Sequence, residues 1–179
     1  MNDKQKEVSN NTDTNRKSRI FATRRKYWDL ALKDIKETQG STGPFKNVNT
    51  SKEYWVNGFI GISGFSIMCE VKIDRAAVLV VLGSSNRDKN KAAYDYLFKQ
   101  KARIEYALGV ELDWWRFNEG KASYLNLNCH EKSIGIYNES SWETMARFHA
   151  EWSKKFNNVI VPLLHDWNTE YQQSITHDE

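Results

Sequence analysis

The clearest pattern in the chain lies in residues 90–128, NKAAYDYLFKQKARIEYALGVELDWWRFNEGKASYLNLN. The first part of this stretch has apolar residues at helical spacing and ends at Gly109, a residue type that commonly follows the last helical turn. The second part has two segments of strand character, residues 111–117 and 122–128, joined by Asn118, Glu119 and Gly120. The stretch therefore predicts a helix followed by a β-hairpin.

Upstream of this stretch, the sequence predicts one helix and three strands. The helix is expected over residues 24–38, with Thr23 as its cap, and the strands over residues 53–60, 65–73 and 76–83. The third strand is apolar on both faces, which favours a central place in the sheet. Ser84, Ser85 and Asn86 then open the second helix.

Downstream, we expect a short strand over residues 133–137 and a long final helix. Ser140 and Glu143 have the spacing of a capping box, and apolar residues recur at steps of three and four from Trp142 to Leu163. Pro162 should kink or restart this helix. The predicted fold class is α+β, with a single layer of mixed or antiparallel sheet, helices packed on it, and the order α–βββ–α–ββ(β)–α.

Length and charge distribution indicate one domain with polar ends. The chain has 179 residues, which is enough to bury a core. We expect a disordered basic and polar tail over residues 1–22, a single α+β domain over residues 23–168, and a polar C-terminal tail over residues 169–179. Residues 1–26 carry eight Lys/Arg against three Asp/Glu, whereas the remaining residues carry 18 basic and 20 acidic side chains. The positive surplus therefore lies in the tail, which is not typical of a dedicated duplex-DNA binder.

The cysteines, histidines and hydropathy argue against several classes of protein. Cys69 and Cys129 cannot form a disulfide framework, and the apolar strand pattern around Cys69 indicates a buried thiol. The four histidines lack metal-ligand spacing, and His149 is expected to be a hydrogen-bonded core residue. No segment approaches membrane-spanning length. We therefore expect a soluble, cytoplasmic protein that has no membrane partner.

Residues 90–128 also resemble an uncharacterised family, the domain of unknown function 4268. The pattern combines Asn-Lys, Lys-x-x-Ile-Glu, Gly-x-x-Leu-x-Trp and Lys-Ala-Ser, and it is carried here by Asn90, Lys91, Leu97, Lys101, Ile104, Glu105, Gly109, Leu112, Trp114, Lys121, Ala122 and Ser123. The resemblance extends over roughly residues 24–167. It implies a small α+β module of bacteria, archaea and their viruses, alone or fused to restriction-endonuclease-like domains. That context suggests DNA metabolism or phage defence.

Glu70 and Lys72 carry the one catalytic hypothesis. Alternation places both on one face of the second strand. Restriction-type nucleases use carboxylates and a lysine at strand ends to position Mg²⁺ and an attacking water. This chemistry needs a second acid, for which Glu53 and Asp34 are the upstream candidates, and no cofactor other than Mg²⁺ is expected. The alternative is a surface charge pair without a catalytic role.

A binding surface is expected on the basic second helix and the tryptophan-containing hairpin. Lysine and arginine side chains there would neutralise phosphates, and exposed rings would stack on unpaired bases. The candidate binding residues are Arg75, Lys91, Lys99, Lys101, Arg103, Trp114, Trp115 and Arg116. Two alternatives stay open: Arg75 as an ion-pair partner of Asp74 or Glu70, and the helix as a solvated face on which Lys101 pairs with Glu105.

Three hypotheses for the function follow from these patterns. The first is a non-catalytic binding module that recognises nucleic acid or a protein partner in a restriction or phage-defence system. The second is a Mg²⁺-dependent nuclease that uses Glu70 and Lys72. The third is a structural subunit of a homo-oligomer, held together by the apolar stripe that runs from Trp142 to Leu163.

Overall fold

The architecture is a five-stranded sheet with helices against one of its faces. The computed structural model describes the backbone of residues 3–177 and the side chains of residues 15–174. In chain order the elements are α1 (Asp3–Gln39), β1 (Trp55–Phe59), β2 (Phe65–Val71), β3 (Ala76–Leu82), α2 (Arg87–Phe98), α3 (Lys101–Leu108), β4 (Asp113–Trp115), β5 (Ser123–Asn128) and α4 (Trp142–His177), which a 3₁₀ turn (Glu139–Ser141) precedes. This order confirms the predicted α+β class and layout.

The sheet is antiparallel, with the strand order β1-β2-β3-β5-β4. β3 lies at its centre, as the apolar sequence predicts, and six of its seven residues are buried. The register places Cys69 opposite Val78 and Val78 opposite Leu127, so one row of side chains crosses three strands. The predicted hairpin forms β4 and β5, and Gly109 ends α3 in the left-handed conformation with a φ of 71°.

The helices cover one face of the sheet, which we call the inner face. Strand alternation directs Ile67, Val78 and Leu125 to this face, where all three are buried. α4 packs against β2 and β3, α1 packs against α4, and α2 contacts β3 and β5. The buried core joins these helices to the inner-face strand residues. Removal of this apolar surface from water supplies the main driving force for folding.

Both terminal helices are longer than the sequence predicts. α1 begins at Asp3 rather than at residue 24, so that residues 3–22, which the sequence assigns to a disordered tail, are helical. No glycine or proline interrupts this segment, and Thr23 lies inside the helix, where its Oγ1 donates to the carbonyl of Arg19 at 3.0 Å. α4 continues through the exposed Pro162 and through residues 169–177, which the sequence assigns to a polar tail.

The second predicted helix is divided into α2 and α3. Asn86 caps α2, since its side chain accepts a hydrogen bond from the backbone N–H of Lys89 at 3.0 Å. The helical backbone is broken at Gln100, which has a φ of −106° and a ψ of 12°. The sequence pattern does not reveal this break, because Ile104 and Leu108 remain on the same buried side as the apolar residues of α2.

Residues 133–137 form a loop instead of the strand expected there. Ser133 has a φ of 57°, which lies outside the strand region. The loop docks on the β2–β3 turn, where the N–H of Ile136 donates to the carbonyl of Lys72 at 2.9 Å. Before α4, Oγ of Ser140 donates to Oδ1 of Asn138 at 2.7 Å, so this hydroxyl does not form the expected capping box.

α4 uses most of its apolar stripe within the chain. Trp142, Met145 and Phe156 are buried, whereas Trp152 and Leu163 are half-buried. The stripe expected to join subunits therefore packs largely on α1 and on the chain's own sheet. None of the described helices is long and apolar enough to cross a membrane.

Candidate binding surface on the open sheet face

The second face of the sheet lies opposite the helices, and we call it the open face. The helices described within residues 3–177 do not pack on it, although its central residues Ala77, Leu79 and Asn126 are buried, at 1%, 5% and 2% exposure. Phe59 is 64% exposed, and Met68, Val81 and Trp115 are half-buried. Row by row, the register places here Trp55, Glu70, Ala77 and Asn128, then Asn57, Met68, Leu79, Asn126 and Asp113, then Phe59, Ser66, Val81, Tyr124 and Trp115.

Trp115, Phe117 and Tyr124 form an aromatic cluster at the β4–β5 end of the open face. The ring centroid of Phe117 lies 6.1 Å from that of Trp115 and 5.8 Å from that of Tyr124. Phe117 is 53% exposed and has a φ of 47°. This left-handed conformation costs a residue with a Cβ about 1–2 kcal/mol. Exposed residues held in such conformations occur preferentially at functional positions.

Lys91 holds the loop that presents Phe117. Its Nζ donates to the carbonyls of Arg116 at 2.6 Å, Phe117 at 2.9 Å and Ala122 at 2.9 Å, with Oγ of Ser123 as a fourth acceptor at 3.0 Å. Burial, followed by repulsion from nearby arginines, lowers the pKa of Lys91. Because Lys91 is only 6% exposed and its hydrogens are used, it stabilises the hairpin instead of contributing a free cation to a surface.

At the opposite end of the sheet Arg24 and Lys72 flank the Tyr54 ring, and with the neighbouring Lys52 and Arg75 they form a group that we call the cationic corner. Its members are Arg24, Lys52, Lys72 and Arg75. Cζ of Arg24 lies 5.7 Å and Nζ of Lys72 lies 5.2 Å from the centroid of the Tyr54 ring. Arg24 also donates to the carbonyl of Lys52 at 3.3 Å. Cations from α1, the segment before β1 and the β2–β3 turn therefore converge on one place.

Glu70 neutralises part of the charge at the cationic corner. Its Oε1 accepts from Nη2 of Arg75 at 2.8 Å, and Nζ of Lys72 lies 3.2 Å from the same oxygen. Glu70 is 6% exposed, so its ionised carboxylate requires these partners. Arg75 therefore forms an ion pair with Glu70, which is one of the alternatives expected from the sequence. Each of the two cations remains about two-fifths exposed, at 39% for Lys72 and 42% for Arg75.

The basic segment of α1, residues 14–28, continues the cationic corner. It contains six Lys/Arg and no Asp/Glu. Lys17, Phe21, Arg24 and Trp28 share one stripe of the helix because they are three or four residues apart. Trp28 fixes this stripe against the chain before β1, since its Nε1 donates to the carbonyl of Glu53 at 2.9 Å. The stripe therefore extends the positive charge from the corner along α1.

Glu70 and Lys72, the predicted catalytic residues, lie together as the nuclease hypothesis requires. The carboxylate is nevertheless engaged by two cations. Among the described residues, no group of three His, Cys, Asp or Glu side chains is placed to hold a metal ion. In this geometry Glu70 is the anion that holds Lys72 and Arg75 together at the end of the sheet.

The remaining predicted binding residues lie on the helix side of the molecule. Arg116 makes a two-pronged contact with Asp95, at 2.8 Å from Nε and 2.9 Å from Nη2, and these hydrogen bonds hold the pKa of Asp95 below its usual value. Lys99 and Arg103 are exposed. Nζ of Lys101 lies 3.8 Å from Oε1 of Glu105, which confirms the predicted pairing of these two side chains.

The two adjacent tryptophans point to opposite faces of the sheet. Trp114 faces the helices, and its Nε1 donates to Oε1 of Glu105 at 2.9 Å. Trp115 pairs across the sheet with Tyr124 and lies on the open face. The predicted set of binding residues is thus divided between two surfaces, and only Arg75 and Trp115 lie on or beside the open face.

Several exposed or half-buried residues of this surface are absent from the predicted set. They are Arg24, Lys52, Tyr54, Trp55, Phe59, Phe117 and Tyr124. The alternation of Trp55, Asn57 and Phe59 along β1 is a signal for a face shared by aromatic and polar side chains. That signal does not show which face the helices cover, because the covering helices are far away in sequence.

These observations define a small α+β protein with helices on one side of an antiparallel sheet, aromatic side chains on the other, and a group of basic side chains at one end. A family model described as a domain of unknown function (DUF4268) matches residues 23–164, and the chain belongs to that family. The motif in residues 90–128 correctly indicates this membership. No curated protein and no solved structure matches the chain.

Proposed function

We propose that the chain is a non-catalytic binding module that recognises nucleic acid through the cationic corner and the basic segment of α1. The observation that carries this proposal is the convergence of Arg24 and Lys72 on Tyr54, with Lys52 and Arg75 beside them. Lysine and arginine side chains placed together in this way neutralise phosphates and release bound counterions, which drives association.

The balance of charge around the corner supports a phosphate ligand. Glu53 and Asp74 neighbour the corner in sequence, yet together with Glu70 they are three acids against four cations. The basic segment of α1 adds Arg16, Lys17, Arg19, Arg25 and Lys26 without an intervening acid. Since helices rise about 1.5 Å per residue, the distance from Lys17 to Arg24 is roughly 10 Å, enough to follow more than one phosphate.

The decisive experiment measures binding to fluorescein-labelled oligonucleotides over a range of salt concentrations. The double variant Arg24→Ala/Lys52→Ala should bind about tenfold more weakly, and the slope of log affinity against log salt should fall by about 1.5. These two side chains are preferable to Lys72 and Arg75, whose removal would leave the buried Glu70 unpaired.

The matched control is Lys99→Ala/Arg103→Ala, which removes two exposed cations from the helix side. Unchanged affinity in this control supports the cationic corner. If only the Lys99→Ala/Arg103→Ala variant bound nucleic acid more weakly, the binding site would lie on α2 and α3 instead. Absence of binding at low salt would reject recognition of nucleic acid, because phosphate contacts are strongest there.

The biological setting belongs to the same proposal. The resemblance of residues 90–128 implies a family associated with restriction-endonuclease-like domains, and a module that holds nucleic acid suits a restriction or phage-defence system. A cytoplasmic location agrees with the two free cysteines, which are both buried.

A further inference from the structure

We infer that the ligand is a single-stranded polynucleotide whose bases stack on the aromatic cluster of Trp115, Phe117 and Tyr124 while its backbone is held at the cationic corner. This inference rests on the proposed function. It names the class of ligand and gives the open face a role in binding it, which the proposed function does not.

The aromatic cluster provides the chemistry that unpaired bases recognise. Base–ring stacking requires an accessible base face, which a single strand offers and a continuous duplex conceals. Phe117 is 53% exposed, and Trp115 and Tyr124 are half-buried on the same face. The rings are positioned before any ligand binds, since Phe117 contacts both neighbours and Lys91 fixes its carbonyl at 2.9 Å. Such preorganisation reduces the cost of ordering the site on binding.

The path between the two ends of the open face suits a flexible, partly apolar ligand. Met68 and Val81 are half-buried at its apolar centre beside the buried Leu79, and the exposed Asn57 borders them with an amide group. Aliphatic side chains can contact sugars and bases, and an amide can hydrogen-bond to base edges. Among the residues that the structure describes, this centre carries no lysine or arginine, so we assign the phosphate contacts to the corner.

The dimensions of the sheet set the length of the strand. The corner lies at β1 and β2 and the cluster at β4 and β5, four strand spacings of about 4.8 Å apart. With about 14 Å along the strands, the diagonal is roughly 24 Å. At about 3.4 Å per stacked nucleotide this corresponds to roughly seven nucleotides, and to fewer when the strand is extended.

The first test compares single-stranded and duplex oligonucleotides of equal length against the full chain. Single strands should bind at least about tenfold more tightly, and affinity should rise with length to about seven nucleotides and then level off. Parallel series of DNA and RNA identify the sugar. Equal affinity for single strands and duplex would overturn the inference while leaving the proposed function intact.

The second test removes single rings. Trp115→Ala and Phe117→Ala should each weaken single-strand binding by about tenfold, while binding through the corner keeps its salt dependence. The control is Tyr106→Ala, which removes a ring that is 90% exposed on α3, on the helix side. Thermal unfolding of each variant identifies losses that come from folding. Because Phe117 lies in an exposed turn, Phe117→Ala decides the question if Trp115→Ala does not fold.

A photocrosslink gives an independent measurement. Irradiation of the unmodified protein with a 5-bromouracil-substituted single strand should attach the base to a peptide that contains Trp115, Phe117 or Tyr124. Attachment to helix-side peptides instead would overturn the assignment of the open face. Failure of every polynucleotide to bind, combined with capture of a protein on the open face, would remove both this inference and the proposed function.

Discussion

His149 should make the stability of the fold strongly dependent on pH between neutrality and pH 4. The side chain is fully buried between α1 and the sheet. Its Nδ1 accepts from the hydroxyl of Tyr27 at 2.9 Å, and its Nε2 donates to the carbonyl of Glu70 at 3.1 Å. The ring of Trp28 stacks on it at a centroid distance of 5.6 Å. These contacts satisfy both ring nitrogens of the neutral imidazole.

The size of the effect follows from the pKa. Burial lowers the pKa of His149 from 6.5 to about 4. The unfolded chain therefore takes up a proton near pH 6.5, whereas the folded chain stays neutral until about pH 4. The stability that the neutral His149 contributes is fully present above pH 6.5. It is lost as the pH falls from 6.5 to about 4, by about 1.4 kcal/mol of unfolding free energy per pH unit. The total loss is about 3 kcal/mol.

The assay is urea unfolding at pH 7 and pH 4.5, for the natural chain and for His149→Gln. The variant should be less stable at pH 7 because it lacks the imidazole contacts. Its loss of unfolding free energy on acidification should nevertheless be smaller than that of the natural chain by about 2–3 kcal/mol. Other titrating groups are common to both chains and cancel in this difference. Parallel pH profiles for the two proteins would refute the reasoning.

Three further substitutions test the packing that positions the open face. Lys91→Met should lower the free energy of unfolding by about 2–4 kcal/mol, because three part-buried carbonyls lose the ammonium hydrogens that Lys91 donates to them. The exposed Lys99→Met should cost little, and equal losses would contradict this role. Gly64→Ala should abolish or strongly reduce stability, because Gly64 has a φ of 79° and a Cβ there would lie 2.2 Å from Cα of Ser84. Gly109→Ala has open space around the added Cβ and should cost only about 1 kcal/mol. Thermal unfolding of the two variants measures this difference. Arg75→Ala should lower the free energy of unfolding in urea by about 1–2 kcal/mol, which is more than loss of the exposed Lys155–Glu151 pair should cost. Adding Glu70→Gln to this variant should restore part of that loss. If the losses of the two single variants simply add in the double variant, the ion pair is ruled out.

Local patterns in the sequence predict most of the fold correctly. The central place of β3, the hairpin and the end of α3 at Gly109 each depend on a few neighbouring residues. The hydrogen-bonded state of His149 and the burial of Cys69 are also confirmed, since each follows from a residue type within an apolar pattern.

The binding surface is harder to predict from local patterns, because it depends on contacts between residues that are far apart in the sequence. Lys91 resembles any basic residue on a helix until its acceptors, 25–32 residues later, are known. Trp114 and Trp115 are adjacent in sequence, so that composition groups them, although alternation sends them to opposite faces. Arg24 and Lys72 meet at Tyr54 only because α1 passes the end of the sheet.

A sheet with helices on one side alone is half of a layered sandwich, and this has a consequence for the thermal behaviour of the protein. A ligand bound to the open face would take the place of the missing layer and would bind only the folded chain. At a free ligand concentration 100 times the dissociation constant, this linkage adds about 2.7 kcal/mol to the unfolding free energy. A shift in melting temperature thus offers a way to search for the occupant without assuming its chemistry.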